Sequence, residues 1–213
     1  MSAKNDSDAS IGNLPLVLAI TGASGAVHAV RLLEVLLEGG REIHLLISPS
    51  GAAVIKQELG RSVSLDLFDP RSLLSATVAE RAEKQVHYHH YADFMAAPAS
   101  GSFLTDGMVV CPCSGSTLSG IAHGSSTNLI QRAADVHLKE RRKLILVPRE
   151  TPLSLIHLDN MRKAAEAGAV ILPAMPGWYH GVKSVQDLID FVVARILDQL
   201  DIPHQLIQRW GGS

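Results

Sequence analysis

The sequence has 213 residues, of which 46% are apolar and 19% are charged, and its formal net charge is -2. This balance does not favour non-specific nucleic-acid binding, and no apolar run reaches the roughly 18 residues of a membrane span. Residues 1–13 are polar and lack the apolar segment of a secretory signal, so we expect a disordered tail followed by one domain over residues 14–213. Cys111 and Cys113 are separated only by Pro112, too close along a strand for a disulfide between them to be expected, and this favours a reducing, cytoplasmic compartment.

Short apolar runs alternate with segments whose apolar residues recur at helical spacing. The segment 152–167 has its own start signal, since Thr151 is a suitable N-cap and Pro152 suits the first helical position. The alternation predicts an α/β fold with a doubly wound parallel sheet and helices on both faces. The predicted strands are 16–21, 43–48, 107–111, 144–148 and 169–172, and the predicted helices are 27–37, 52–59, 118–123, 128–142, 152–167 and 185–200.

Polar residues collect where the predicted strands end. Ligands of doubly wound sheets bind beyond the carboxyl ends of the strands, so these segments are expected to meet at one site. They are Gly22–Gly25, Ser48, Cys113–Thr117 and Arg149–Glu150.

The first of these turns, "GASGA", is compatible with phosphate binding through backbone amides at a helix N-terminus, and equally with a bare structural turn. It lacks the G-x-G-x-x-G spacing of a dinucleotide site, and Ser48 stands where an acidic residue would take the ribose. It also lacks the Gly-Lys-Ser/Thr of a P-loop. The turn after the 107–111 strand is more informative, because Ser114, Ser116 and Thr117 exceed the single hydroxyl that an N-cap needs. We therefore expect a second anion or a flavin edge there.

Other polar groups are ambiguous on their own. Arg132 and Lys139 are seven residues apart on one helical face, and spacing alone favours a solvated basic face. Arg149 and Glu150 suit either a structural ion pair or a phosphate clamp beside an acid/base group. The run "HYHHY", residues 87–91, invites a metal hypothesis, but no matching carboxylate cluster follows it, so no metal site is predicted.

Together, the segments resemble the UbiX-type flavin prenyltransferases. The resemblance rests on "ITGASGA", "ASGSFLTDGMVVCPCSGSTLSGIAHG", "NLIQRAADVHLKERRKLILVPRETPLSLIHLDNM" and "PAMPGWYHGVKSVQDLIDFVVARILD", and it spans residues 14–200. It implies a Rossmann-like three-layer fold that binds FMN. Members of the family transfer a dimethylallyl group from dimethylallyl phosphate to N5 and C6 of reduced FMN, without a metal. The prenylated FMN serves a UbiD-type decarboxylase, and members form homo-dodecamers with sites at subunit interfaces.

The resemblance also implies roles for individual residues. Ser24 would lie near flavin N5, and Glu58 and Glu150 match the acidic residues of the family. The ring proton at C6 could leave to Glu150 or to the released phosphate. Trp210 is a candidate aromatic wall for the allyl group. FMN would contact Gly22, Ala23, Ser24, Ser48, Ser114, Gly115, Ser116, Thr117 and Arg132; the prenyl phosphate would bind Lys139, Arg149, Tyr179 and Arg195; the candidate catalytic residues are Ser24, Glu58, Glu150 and Lys139.

Two alternatives share these residues. An FMN-dependent cysteine decarboxylase would need a catalytic histidine on the first helix, where His28 lies. A non-enzymatic FMN carrier would bind the flavin without affinity for dimethylallyl phosphate.

Overall fold

The computed structural model describes residues 14–179 and 181–208. These residues form one six-stranded parallel sheet with the order β3-β2-β1-β4-β5-β6. The predicted tail, residues 1–13, lies outside the described residues. The strands are β1 (Leu16–Ile20), β2 (Ile43–Ile47), β3 (Val86–His90), β4 (Gly107–Cys113), β5 (Leu144–Pro148) and β6 (Val170–Ile171).

Helices cover both faces of the sheet, which confirms the predicted doubly wound, three-layer architecture. Helices α1, α2, α3 and α7 pack on one face, and α4, α5 and α6 pack on the other. Within the described ranges, no helix is long and apolar enough to cross a bilayer. The helices are α1 (Ala26–Glu38), α2 (Pro49–Leu59), α3 (Ala76–Gln85), α4 (Gly115–Ala122), α5 (Leu129–Lys139), α6 (Leu155–Glu166) and α7 (Val185–Gln199).

The central strands are buried and almost wholly apolar, because both of their faces are covered, and His44 in β2 is the polar exception among β1, β2 and β5. In β1, Leu16, Leu18 and Ile20 contribute to the core beneath α1 and α7. Val17 and Ala19 point the other way, into the core beneath α4 and α5. Alternation of side chains along each strand therefore divides one apolar run between two cores.

Two features depart from the sequence-based expectations. Helix α3 and strand β3 were not predicted, and β3 is a half-buried edge strand. The predicted helix start at Thr151 and Pro152 was wrong, because α6 begins at Leu155. Ser154 is its N-cap, and its hydroxyl accepts from the His157 amide while the His157 ring returns a contact to the Ser154 amide. This reciprocal cap satisfies the first turn three residues later than expected.

Candidate active site

The point where the winding of the sheet reverses lies between β1 and β4, and Thr21 joins their carboxyl ends. The buried Thr21 hydroxyl donates to the Pro112 carbonyl at 2.7 Å and accepts from the Ser114 amide at 2.8 Å. Both bonds are made inside the protein, where an unpaired polar group would be costly. The turn after β1 and the turn after β4 are therefore held side by side, where this fold class binds its ligands.

The turn after β1 is tightly packed and needs its glycines. A Cβ at Gly22 would lie 2.5 Å from the Ser50 side chain, so this position admits no larger residue without movement. Gly25 has φ of 110°, in the region that favours glycine, and it is the N-cap of α1. Ala23 is buried and Ser24 is exposed between them. The predicted cluster of Gly22, Ala23 and Ser24 is thus one rigid turn at the sheet edge.

Glu58, from the last turn of α2, places its carboxylate at the N-terminus of α1. The carboxylate accepts from the Gly25 amide at 3.0 Å and from the Ala26 amide at 2.9 Å. Partial burial raises the pKa of Glu58, but hydrogen bonds from Ser24 and these amides, with the charge of Arg149, outweigh it and leave the pKa below its usual value. The structure thus brings Ser24, Glu58 and Arg149 into one electrostatic environment. It also places a protein anion, Glu58, at the amides of Gly25 and Ala26, which could otherwise hold a phosphate.

Arg149 follows β5 at the same edge of the sheet. Its Nε atom is buried and has no hydrogen-bond partner among the residues that the structure describes. A cavity of about 250 Å³ begins there, lined by Arg149, Glu150, Met161 and Met175 among others. The neighbouring Glu150 is exposed, and its carboxylate accepts from the Thr151 amide at 3.0 Å. An orphaned guanidinium nitrogen beside a cavity is suited to an anionic ligand.

The hydroxyls at the other turns are arranged around helix starts. Ser114 is the N-cap of α4, and its Oγ lies 3.2 Å from Ser116 Oγ and 3.0 Å from Thr117 Oγ1. A Cβ at Gly115 would lie 3.2 Å from the His157 ring, so the backbone there is closely approached. Ser48 is the N-cap of α2 and accepts from the Gly51 amide at 3.0 Å. Capping thus uses one oxygen at each turn, and two further hydroxyls, of Ser116 and Thr117, lie beside the cap at the start of α4.

Lys139 lies at the opposite end of the sheet from Arg149. It ends α5, shortly before β5 begins, and it pairs with Glu140 beside Gly101. The five residues of β5 separate the two ends by about 17 Å at about 3.3 Å per residue. One chain therefore does not bring Lys139 to the Arg149 cavity.

The remaining predicted cations also make surface contacts. Arg132 lies in the first turns of α5, is 42% exposed and pairs with Asp135 at 3.5 Å. Arg195 is 46% exposed and pairs with Asp198 at 2.6 Å, near the end of α7 where Leu200 packs close to Gly107 at the start of β4. Arg195 and Lys139 thus both lie near the amino ends of the strands, whereas the site of their own chain lies at the carboxyl ends.

Tyr179 lies in the connection from β6 to α7 and is 62% exposed, with its ring edge-on to Phe191 at 5.8 Å between centroids. Trp178 beside it is 71% exposed. Trp210 lies outside the described residues. The connection thus presents two aromatic rings on the surface.

A thiol and an imidazole also lie near the site. Burial raises the pKa of the Cys113 thiol to about 12, so it is not a thiolate at neutral pH. Burial also lowers the pKa of His28, even though its ring contacts the Gly25 carbonyl at 3.2 Å. His28 is thus half-buried beneath the first turn, with its ring held against the Gly25 carbonyl.

No functional signal in the sequence pointed to Thr21 or His157. Thr21 was visible only as the polar end of an apolar run, and its two partners are more than ninety residues away. His157 was placed inside a helix rather than at its cap. Pairing between distant turns decides the role of Thr21, whereas a contact with nearby Ser154 decides that of His157.

The chain matches the sequence model of the Flavoprotein family over residues 4–197. The flavin prenyltransferase UbiX of Pseudomonas aeruginosa is 50% identical to it over 196 residues, which are 92% of this chain and 93% of that protein. The flavin prenyltransferase UbiX of Halalkalibacterium halodurans is 47% identical over 194 residues, 91% of this chain and 92% of that protein.

Solved structures give the same picture. AnUbiX (PadA1) in complex with FMN and dimethylallyl pyrophosphate superposes with a TM-score of 0.80 at 42% identity, covering 94% of this chain and 99% of that chain. A dodecameric FMN-dependent UbiX-like decarboxylase from Escherichia coli O157:H7 has a TM-score of 0.79 at 42% identity, covering 94% of this chain and 100% of that chain. The FMN-dependent cysteine decarboxylase TvaF has a TM-score of 0.57 at 16% identity, a likeness that shows the fold alone.

Proposed function

Because this chain belongs to the UbiX-type flavin prenyltransferases, we propose that it joins a dimethylallyl group from dimethylallyl phosphate to N5 and C6 of reduced FMN. One structural observation supports this proposal above the others. Ser24, Glu58 and Arg149, whose Nε has no partner among the described residues, share one environment at the point where the sheet reverses its winding. A serine, an ionised carboxylate and a free guanidinium edge suit a site that holds a polar ring and an anionic ester together.

The residues present fit FMN. The rigid turn Gly22–Ser24 would lie along the flavin ring, with Ser24 near N5. Because Glu58 already occupies the first amides of α1, the phosphate of FMN is better placed at Ser48, at the Ser114–Thr117 turn and at Arg132. When bound and reduced, FMN supplies the two nucleophilic ring atoms.

Departure of the phosphate needs positive charge, because an allylic substitution leaves negative charge on the ester oxygen as its bond breaks. Arg149 would hold that oxygen, because a guanidinium can donate two parallel hydrogen bonds to one oxyanion group. Lys139 and Arg195 would add charge, and the Tyr179 phenol would donate a further hydrogen bond. No metal is required for this role.

Glu58 and Glu150 would have different tasks. The low pKa of Glu58 keeps it ionised, where it orients the Ser24 hydroxyl and balances the charge of Arg149. Glu150 is exposed and would take the ring proton from C6, a task that the released phosphate could share.

Completion of this site needs further copies of the chain. Lys139 is about 17 Å from the Arg149 edge by strand length alone, so the lysine at each site would come from a neighbouring subunit. Large apolar side chains cluster near the carboxyl edge without cover: Leu155, Ile156, Met175 and Trp178 are each more than 60% exposed. Such a patch is typical of a subunit interface. We therefore propose a homo-oligomer with shared sites, and a dodecamer as in the structurally similar Escherichia coli protein.

The product, prenylated FMN, would pass to a UbiD-type decarboxylase. Cys111 and Cys113 are both free and buried, which supports a reducing, cytoplasmic location. That residues 14–213 together form one FMN-binding domain remains a prediction.

Anaerobic incubation of the protein with FMN, a reductant and dimethylallyl phosphate tests the activity. Mass spectrometry should find a flavin heavier by one C5H8 unit. A parallel incubation with the diphosphate ester would reveal which donor is used. FMN binding without any mass gain from either ester would contradict the proposal and favour a carrier.

A further inference from the structure

A histidine cluster lies on the paired strands β2 and β3 at the edge of the sheet, two strands away from the turn after β4. It consists of Glu42, His44, His87 and His89. His44 and His87 are direct partners across the parallel pair, and Glu42 immediately precedes β2. Alternation along β3 places His87 and His89 on one face and His90 on the other. Three imidazoles and a carboxylate are thus gathered from segments that are more than forty residues apart.

The distances within the cluster match those between ligands of one metal ion. Glu42 Oε1 lies 3.1 Å from His87 Nε2 and 3.5 Å from His44 Nε2. Ligand atoms of Glu42, His44 and His87 all lie within 4.8 Å of one another. A tetrahedral zinc ion with bonds of about 2.0–2.1 Å separates its ligand atoms by about 3.4 Å. The three residues need little movement to reach that geometry.

His89 and Phe103 hold the buried member of the cluster in place. His44 Nδ1 lies 2.8 Å from His89 Nε2, and Phe103 packs against the His44 ring at 4.6 Å between centroids. Histidine ligands of metals characteristically bond their second ring nitrogen to a neighbour, which fixes the tautomer and the ring orientation. With Nδ1 held by His89, His44 turns Nε2 toward Glu42 and His87.

We propose that Glu42, His44 and His87 bind Zn²⁺, with His89 as the orienting partner of His44. Two imidazoles and a carboxylate are ligands that zinc takes readily. Glu42 and His87 are half-exposed, so the ion can enter and a water molecule can complete its coordination. The ion would join the edge strand β3 to β2 and has no part in prenyl transfer. This revises the sequence-based expectation, which lacked a carboxylate near the run "HYHHY" because Glu42 lies on another strand.

Calorimetric titration of the whole, untagged protein with ZnCl₂ tests the site. We expect one ion per chain and a rise in the thermal unfolding temperature on zinc addition. Glu42→Gln and His87→Ala should each weaken binding by about tenfold or more, since loss of an orienting partner alone costs that much. His90→Ala is the matched control, because His90 belongs to the same strand, faces the other side and contacts Asp66 at 3.8 Å.

Cobalt substitution provides an independent readout. Co²⁺ bound at three protein ligands should give visible absorption that is lost in His87→Ala and kept in His90→Ala. Equal zinc affinity in wild type and His87→Ala, or equal losses in His87→Ala and His90→Ala, would overturn the assignment. Prenylation of FMN should be unchanged by His87→Ala whether or not zinc is present.

Discussion

The two ends of the sheet differ in how their charged residues are held. At the carboxyl edge, Glu58 accepts hydrogen bonds from the first amides of α1 and interacts electrostatically with Arg149. The Nε of Arg149 has no hydrogen-bond partner among the described residues. At the amino edge, Lys139 lies on the surface in an ion pair with Glu140, and Arg195 similarly pairs with Asp198.

This difference shows which charged side chains are held in place by contacts within a single chain. The carboxyl-edge group is preorganised, because its partners come from fixed helix ends and buried strands. Exposed ion pairs such as Lys139–Glu140 contribute little to stability and exchange partners readily. Lys139 is thus available to a neighbouring subunit, while Arg149 is committed to its own.

Removal of the amino-edge lysine should have the largest effect. Lys139→Ala should lower kcat of prenyl transfer by about 100-fold or more, because a charge that stabilises the departing phosphate is lost. FMN affinity should change little. Lys143→Ala is the control, since Lys143 lies at the same edge in a surface pair with Asp201. Rapid-quench detection of prenylated flavin separates the two variants, and equal losses in both would contradict the assignment.

Glu150→Gln tests the proposed proton acceptor at the carboxyl edge. We expect kcat to fall by about 100-fold through loss of a proton acceptor, with FMN binding retained. Flavin fluorescence titration measures the second quantity beside turnover. Unchanged turnover would transfer the base role to the released phosphate.

Gly22→Ala tests the rigidity of the first turn. The added Cβ would lie 2.5 Å from Ser50, and we expect a loss of about 1–3 kcal/mol in the free energy of unfolding. The double variant Gly22→Ala with Ser50→Gly should recover part of that loss. Chemical denaturation of the two single variants and the double variant measures the coupling. Additive losses would show that the two side chains do not meet.

Glu58→Gln should have the smallest effect, about 0.5–1 kcal/mol of stability at neutral pH, because the group is exposed. The pKa of Glu58 lies below its usual value of 4.5, so its contribution is full above that pH and is lost as the pH falls through the lowered pKa. Wild type and variant should therefore converge in strongly acidic solution. A gap in unfolding free energy that widens toward low pH would contradict this.

The sequence was sufficient for the buried parts of the fold. Strands β1, β2, β4 and β5 are fully buried and mostly apolar, so their short apolar runs were enough to locate them. Helix α3 buries only Ala79 and Ala82, and β3 is a half-buried edge, so neither has a strong apolar pattern.

The candidate site divides in the same way. Turns at strand ends, such as Gly22–Gly25 and Ser114–Thr117, follow from topology and were predictable. The contact of Glu58 with α1 joins residues 32 positions apart, and resemblance rather than spacing indicated its importance. The separation of Lys139 from Arg149 depends on which end of the sheet each residue occupies.

Co-expression of two inactive variants tests most directly whether sites are shared between subunits. Lys139→Ala and Arg149→Ala chains would carry different tags, and mixed assemblies would be purified through both. If Lys139 and Arg149 at each site come from different chains, random mixing restores about a quarter of the wild-type sites. Prenylation by the mixture at about that level is the predicted result. Activity no higher than that of either variant alone would contradict the shared site.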